Sequence, residues 1–435
     1  MPEIDTGDTA WLLTSAALVM FMTPGLALFY GGLVRAKNVL ATIMQSFFAL
    51  ALVSVLWFVI GYTLAFGPDV GGFIGNLDFL FLRDVGQTPS AVYAVTTPHL
   101  AFSMYQLMFA IITPALISGA FAERMKFSGY TLFIGLWSLI VYAPVAHWVF
   151  ADGWLGLFEG NVGALDFAGG TVVHINAGVA ALAAILYMGK RKGYGKQAFV
   201  PHNVPMVITG AAILWFGWFG FNAGSALGAT GLAASAFTNT HIATAAAVLG
   251  WLAPEWLKHG KATTVGGATG AVAGLVAITP AAGFVEPWGA ILIGIAAGVI
   301  CFLAVDLKSR IGYDDSLDVV GVHMVGGIVG ALLTGVLAST AVNAFEGGLE
   351  QLGKQVIAVG ATLGYSFVVT LIICKIVDVL VGLRVSEEDE ESGLDLSQHA
   401  ESGYSLVERG GSVAEEGTSA TAPEPVAEQA KEGAR

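Results

Sequence analysis

The sequence predicts an all-α membrane protein, and three observations carry this prediction: few charges, long apolar runs, and basic residues concentrated in alternate segments between those runs. Of the 435 residues, 55% are hydrophobic and 12% are charged, whereas a soluble globular chain carries about 25% charged residues. This composition leaves too little polar surface to cover a soluble particle of this size. It also excludes intrinsic disorder, collagen and coiled coils as the main architecture.

Eleven apolar runs are long enough to be membrane helices, since a hydrocarbon core about 30 Å thick needs about 20 residues per helix. Transmembrane β-strands would be about 10 residues long and would alternate in polarity, so a barrel is excluded. The predicted spans are 9–33, 39–66, 98–122, 127–150, 169–189, 203–225, 238–257, 262–280, 287–305, 319–341 and 354–383.

The orientation follows from the basic residues, because loops rich in lysine and arginine face the cytoplasm. Twelve lie between spans on one side, and only Arg83 and Lys354 lie on the other side before the tail. The N-terminus is therefore expected outside and the C-terminus inside. Residues 1–10 contain acids and no base, unlike a signal peptide. The basic positions are Arg35, Lys37, Arg124, Lys126, Lys190, Arg191, Lys192, Lys196, Lys258, Lys261, Lys308 and Arg310.

Three regions are expected along the chain: an eleven-span membrane domain (1–383), a cytoplasmic segment (384–411), and an acidic tail (412–435) too polar to fold. Residues 384–435 hold 13 acids and 4 bases, so they contribute −9 of the net charge of −13. The acidity therefore belongs mostly to the tail, and nothing indicates nucleic-acid binding. Apolar residues in the middle segment, including Leu394 and Leu396, predict that it packs against the cytoplasmic face.

Two intramembrane histidines occur in matching contexts, and ionisable residues inside a membrane are functional-site hypotheses by default. Asp166, His174 and Gly178 precede or lie in span 5, while Asp318, His323 and Gly327 precede or lie in span 10. Five spans per half would give the halves opposite topology, which is the inverted-repeat architecture with its site at the repeat interface. We therefore expect the two rings to meet. The alternative is two independent core histidines; further ligands at metal-binding spacing are lacking.

Other polar residues favour structural interpretations. Asp166 precedes Gly-Gly-Thr and is expected to cap span 5, and Asp318 is expected to do the same for span 10. His147 near the outer end of span 4 is interpreted as a packing residue. Aromatic residues cluster in span 3 and around 215–221, and from their positions alone an interfacial belt is the simpler explanation.

Several segments in order resemble the ammonium transporter family (Amt/Mep/Rh), and in particular its microbial and plant Amt branch. The resemblance extends over essentially the whole chain. It rests on MTPGLALFYGGLVRAKN (22–38), FAERMKFSGY (121–130), DFAGGTVVHINAG (166–178), WFGFNAGSA (218–226), DVVGVHMVGGIVG (318–330) and the tail segment 382–404.

This resemblance implies a trimer of subunits, each with its own pore through two inverted five-helix repeats. Phe109 and Phe221 match the gate aromatics, and Ser225 matches a hydroxyl that binds ammonium. Tyr105 and Trp218 match aromatic positions near the vestibule, and they are counted with Asp166 among the substrate-binding residues. His174 and His323 match the pore histidine pair that handles the proton.

One position departs from the family pattern. The capture-site aromatic at the end of span 4 is typically tryptophan, and the aligned residue here is Phe150, with Trp148 two positions earlier. Phenylalanine offers a weaker cation–π face than tryptophan, so external capture of ammonium is expected to be weaker.

The resulting hypothesis is an ammonium transporter of the cell membrane, with methylammonium as an analogue substrate and no cofactor or metal. Two alternatives stay open: a passive ammonia channel of the Rh kind, and a sensor that signals through its tail. An intramembrane enzyme is disfavoured because no nucleophile or metal motif accompanies Asp166 and His174. The tail motif points to a cytosolic PII-type regulatory protein as a partner.

Overall fold

The computed structural model describes residues 3–404, and this part of the chain is mostly helical. Ten of its helices are long and apolar enough to cross a membrane, and an apolar helix of 15 residues lies between the seventh and eighth of them. We number these helices in chain order. They are α1 Thr6–Leu33, α2 Ala36–Phe66, α3 His99–Ile117, α4 Phe127–Phe150, α5 Gly170–Met188, α6 Val204–Ala226, α7 Gly231–His259, α8 Thr264–Ile278, α9 Pro287–Ile311, α10 Val320–Leu337 and α11 Leu349–Val381.

Each predicted span corresponds to one of these helices, with shifted boundaries. Two of the shifts come from caps that hydropathy does not reveal. Helix α7 begins seven residues before its apolar run, at a Thr230 cap whose side chain accepts from the Ala233 amide. Helix α8 is shorter than its predicted run, because it begins at the Thr263 cap and ends at Ile278.

Short strands and short helices lie in the segments that connect or follow the long helices. Two small antiparallel pairs lie between α2 and α3, namely β1 Asp69–Val70 with β2 Ile74–Gly75, and β3 Pro89–Ser90 with β4 Ala94–Pro98. Two short helices follow α11, namely α12 Glu387–Ser392 and α13 Leu394–His399. The first pair lies against α4, where His147 bonds to the Ala65 carbonyl and to Asp69, both at 2.9 Å. This agrees with the structural interpretation of His147.

Helices α1 and α6 pack closely along their lengths because small residues line their contact. A Cβ on Gly210 would lie 2.3 Å from the Phe29 amide nitrogen, a distance that no side chain tolerates. Small residues of this kind let membrane helices approach. The close pairing of α1 with α6 forms one wall of the cavity that holds the two histidines, through Met22, Leu26 and Phe29 of α1 and Leu214, Trp218 and Phe221 of α6.

A buried ion network joins the helix ends on the basic side. Glu123 pairs with Arg35 at 3.0 Å and with Arg191 at 3.1 Å, and Asp314 pairs with Arg124 at 3.1 Å and Arg191 at 2.8 Å. Burial alone would raise the pKa of Glu123, but hydrogen bonds from Arg35 and the charge of Arg191 hold it below its ordinary value. Three of the basic residues counted for orientation are thus structural.

The segment after α11 packs onto this network, as its apolar residues predicted. Leu383 and Leu394 are buried. The Leu394 amide donates to Asn38 at 2.8 Å, and Asp395 accepts from the Ala41 amide at 2.8 Å. Leu396, in contrast, is 65% exposed. The predicted disordered tail, 412–435, lies outside the described residues.

Candidate functional site

A vestibule of about 240 Å³ opens where α3 begins and where α4 and α6 end. The two small strand pairs lie on the same side of the molecule. Three predicted site residues line it: Phe109, Phe150 and Ser225. The remaining walls are supplied by residues that sequence reasoning missed. They are Val92, Tyr93, Phe102, Gln106, Phe158, Phe167 and Leu227.

Most of the missed residues lie where sequence periodicity gives no signal. Phe158 and Phe167 belong to the irregular segment between α4 and α5, and Tyr93 belongs to the connection between β3 and β4. Gln106 did carry a signal, since a buried amide within an apolar run needs hydrogen-bonding partners and polar residues in membrane helices mark functional surfaces.

Phe150, and not Trp148, faces the vestibule. The Trp148 indole donates its Nε1–H to the Phe73 carbonyl at 2.8 Å and packs against Trp154 and Tyr365. Residues two positions apart on a helix point about 200° apart around its axis. The rings of Trp148 and Phe150 therefore face different surroundings.

Ser225 is positioned by Tyr105 at the end of α6. The Tyr105 hydroxyl lies 2.8 Å from the Phe221 carbonyl and 3.1 Å from Ser225 Oγ. Ser225 donates to the same carbonyl at 3.0 Å, so its oxygen lone pairs remain available for another donor. Tyr105 itself is fully buried and does not line the vestibule.

Phe109 and Phe221 close the vestibule on its inner side. Their ring centroids lie 4.3 Å apart, and both side chains are buried. Phe109 lines the vestibule and Phe221 lines the cavity that holds the two histidines, so the contacting rings lie between the two spaces.

Beyond these rings lies a lumen of about 10 Å³, at the lower limit for holding one water molecule. Its lining is apolar except for His174 and His323 and the indole of Trp218. Trp218 lies here and not in the vestibule; it donates to Thr279 Oγ1 at 2.9 Å and stacks on His174 at 5.4 Å between centroids.

The two imidazoles meet, as the matched motifs predicted. Their Nδ1 atoms lie 3.3 Å apart, and the rings are inclined by 20°. With both rings neutral, the shared hydrogen leaves one ring with a bare Nε2 and the other with an Nε2–H. The pair therefore offers one acceptor and one donor. His174 Nε2 is buried and has no hydrogen-bond partner among residues 3–404.

Both histidines lie in π-helical turns, Gly170–Ile175 and Val320–Met324. Such turns are rare and occur frequently at functional sites. The glycine four residues after each histidine makes the close contact: a Cβ on Gly178 would lie 2.3 Å from the Met324 amide, and one on Gly327 would lie 3.1 Å from the Gly170 carbonyl. Helices α5 and α10 thus cross beside the rings.

Asp166 caps α5, as predicted. Its carboxylate accepts from the amides of Gly169, Gly170 and Thr171 at 2.6–2.8 Å. Gly169 has φ +118°, a conformation that glycine adopts without strain. The carboxylate is occupied by the helix start and does not line the vestibule.

The expected matching cap at Asp318 was wrong. Asp315 accepts from the Val320 amide at 2.8 Å, whereas Asp318 has φ +63° and bonds to Lys308. Burial raises the pKa of Asp315 to about 6. The sequence spacing was misleading because α10 begins after an irregular turn, so the capping carboxylate lies eight residues before its histidine, as Asp166 does.

The similarity of this chain to known proteins covers most of its length. The model of the Ammonium Transporter Family matches residues 10–404. An ammonium transporter of Aquifex aeolicus is 54% identical over 93% of this chain and 95% of its own. The crystal structure of Saccharomyces cerevisiae Mep2 superposes with a TM-score of 0.82 at 39% identity, covering 88% of both chains. A structure described as a sensor Amt protein has a TM-score of 0.83 at 28% identity, covering 90% of this chain and 98% of its own.

Proposed function

The chain belongs to the ammonium transporter family, and on that premise we propose that it captures ammonium in the vestibule, removes its proton and passes ammonia through the histidine lumen. It is a multi-pass protein of the cell membrane. The observation that carries the proposal is the contact between His174 and His323, whose Nδ1 atoms lie 3.3 Å apart in an apolar lumen.

Capture requires groups that replace water around a small cation. The rings of Phe109 and Phe150 offer cation–π faces, and Ser225 Oγ offers lone pairs to an N–H donor, since its own hydrogen is directed at a carbonyl. Asp166, held by the start of α5, adds a fixed negative charge behind this site.

Passage requires a different chemistry, because a bare cation in an apolar cavity is costly. A lumen of about 10 Å³ admits a molecule the size of ammonia and no hydration shell. Ammonia can donate to the bare Nε2 of one imidazole and accept from the Nε2–H of the other. The bare Nε2 of one ring can also accept the released proton; the shared hydrogen then moves across the Nδ1–Nδ1 contact, and the other ring gives up its Nε2–H on the far side. The pair thus carries the proton past the lumen, which makes transport electrogenic.

The architecture that we propose consists of two inverted halves, α1–α5 and α6–α10, with the N-terminus outside. Two features favour it: the capped, π-helical starts of α5 and α10, and the basic residues that lie between helices on one side. We propose that subunits form homotrimers, as the family resemblance implies.

A regulatory role of the tail is the second candidate function. Lys192 pairs with Glu387 at 3.1 Å and Glu391 at 2.9 Å, so α12 contacts the loop that follows α5. This loop borders a cavity of about 460 Å³ lined by Arg191, Phe199 and Lys308. A PII-type protein that binds here would cover this cavity, and the similarity to a sensor Amt protein favours a signalling role for this chain.

Current recorded during an ammonium pulse on reconstituted vesicles tests the transport proposal. We expect current with ammonium and none with potassium. Internal alkalinisation without current would instead identify a passive ammonia channel. Deleting residues 384–435 separates transport from sensing, because a sensor without transport would give no flux with or without the tail.

A further inference from the structure

A groove of about 590 Å³ lies outside the pore, between the ends of α5 and α9 and the start of α10. Its walls are apolar side chains such as Leu182, Leu307 and Val325. At its mouth, Leu186 is 55% exposed and Ile311 is 64% exposed. The groove therefore opens onto the outer surface of the subunit, not toward the histidine lumen.

The depth of the groove matches one leaflet of a bilayer. Leu182 to Lys190 and Ala304 to Gly312 line it, and each stretch rises by about 12 Å at about 1.5 Å per residue. Half of a hydrocarbon core is about 15 Å thick. An acyl chain that enters from the basic side would thus be covered over most of its leaflet.

A cation without an acidic partner marks the rim. Lys190 is exposed, and among residues 3–404 it forms no ion pair with a carboxylate. Its Nζ lies 3.8 Å from the place a Cβ on Gly312 would occupy and 5.4 Å from the centroid of the Tyr194 ring. Asp314, which also lines the groove, is neutralised by Arg124 and Arg191.

We propose that this groove binds an anionic phospholipid of the cytoplasmic leaflet, with an acyl chain between α5, α9 and α10 and the phosphate on Lys190. Charge complementarity selects this occupant: an apolar cleft alone suits any lipid, whereas a lysine without an acidic partner at the rim attracts an anionic head group, as basic residues near the cytoplasmic surface do. The leaflet rests on the orientation proposed above. Since Met324 forms part of the wall, the bound chain packs against the residue next to His323.

The test is lipid binding to the full-length protein in detergent, followed by native mass spectrometry with phosphatidylglycerol and with phosphatidylcholine of the same acyl chains. The wild type should retain phosphatidylglycerol at lower lipid concentrations. Lys190→Ala should weaken phosphatidylglycerol binding about fivefold and leave phosphatidylcholine unchanged. Ala304→Phe, which fills the groove, should weaken binding of both lipids.

Lys261→Ala is the matched control, because Lys261 is an exposed lysine of the same face outside the groove. It should bind both lipids as the wild type does. Equal affinity of the wild type for the two lipids, or equal losses in the Lys190 and Lys261 variants, would overturn the proposal and assign the groove to bulk acyl chains. Neither lysine variant removes a buried contact, and binding is read without transport, so failure here is separate from failure of the transport proposal.

Discussion

The vestibule and the lumen are both lined by aromatic rings, yet they differ in volume and in polar groups. The vestibule measures about 240 Å³ and presents the Ser225 hydroxyl and the Gln106 amide, whereas the lumen measures about 10 Å³ and presents two imidazoles. The first can exchange water for protein groups around a cation; the second can hold only a small neutral molecule at low cost. On the proposed mechanism, ammonium is held as a cation on the vestibule side of the Phe109–Phe221 pair, and beyond the pair the nitrogen passes as ammonia while its proton moves on the imidazoles.

Placing an acid in the lumen should erase this difference, and it is the largest effect that we expect. His174→Asp or His323→Glu puts a potential anion where a cation is otherwise excluded. Potassium current should rise from background to the order of the ammonium current. The measurement is current with each cation in turn on vesicles. Potassium exclusion that survives both substitutions would show that the gate alone sets selectivity.

Removing the Ser225 hydroxyl should weaken the vestibule alone. Ser225→Ala deletes an acceptor for a charged donor, at a cost of about 1.5–3 kcal/mol. The concentration of ammonium at half-maximal current should rise accordingly, with the maximal current less affected. Ser225→Thr is the control, since it keeps the hydroxyl. An unchanged half-maximal concentration in the alanine variant would remove Ser225 from capture.

Separating α5 from α10 should affect the lumen alone. Gly178→Ala places a Cβ 2.3 Å from the Met324 amide, and overpacking of this kind costs about 1–3 kcal/mol. We expect a lower unfolding temperature and a reduced current with an unchanged half-maximal concentration. Gly360→Ala on α11 is the control, because a Cβ there meets nothing within 4 Å. Equal unfolding temperatures in the two variants would contradict the close crossing.

Changing the ring at position 150 should give the smallest effect. Phe150→Trp should tighten capture and Phe150→Ala should weaken it, each on the cation–π scale of about 0.5–2 kcal/mol. The readout is again the ammonium concentration at half-maximal current. Trp148→Phe is a useful comparison, since that ring lies against Phe73 and away from the vestibule. Identical values for the three residues at position 150 would exclude it from the site.

The sequence predicts the helices and the histidine pair because both depend on local patterns. Long apolar runs mark membrane helices, and a His-x-x-x-Gly motif recurs once per half. The cap of α10 was missed because spacing from Asp318 cannot reveal a left-handed turn at that residue. The vestibule wall was missed because Phe158 and Phe167 come from an irregular segment, whose path depends on tertiary contacts such as the Phe167 amide bonding to Pro280.

The central claim is that the two imidazoles carry the proton that ammonium gives up. Ammonium-evoked current through the His174→Ala, His323→Ala double variant tests it most directly, with an unchanged unfolding temperature as evidence of folding. Our account predicts that this current falls sharply while potassium stays excluded. Wild-type ammonium current through the folded double variant would show that the histidines only pack the lumen.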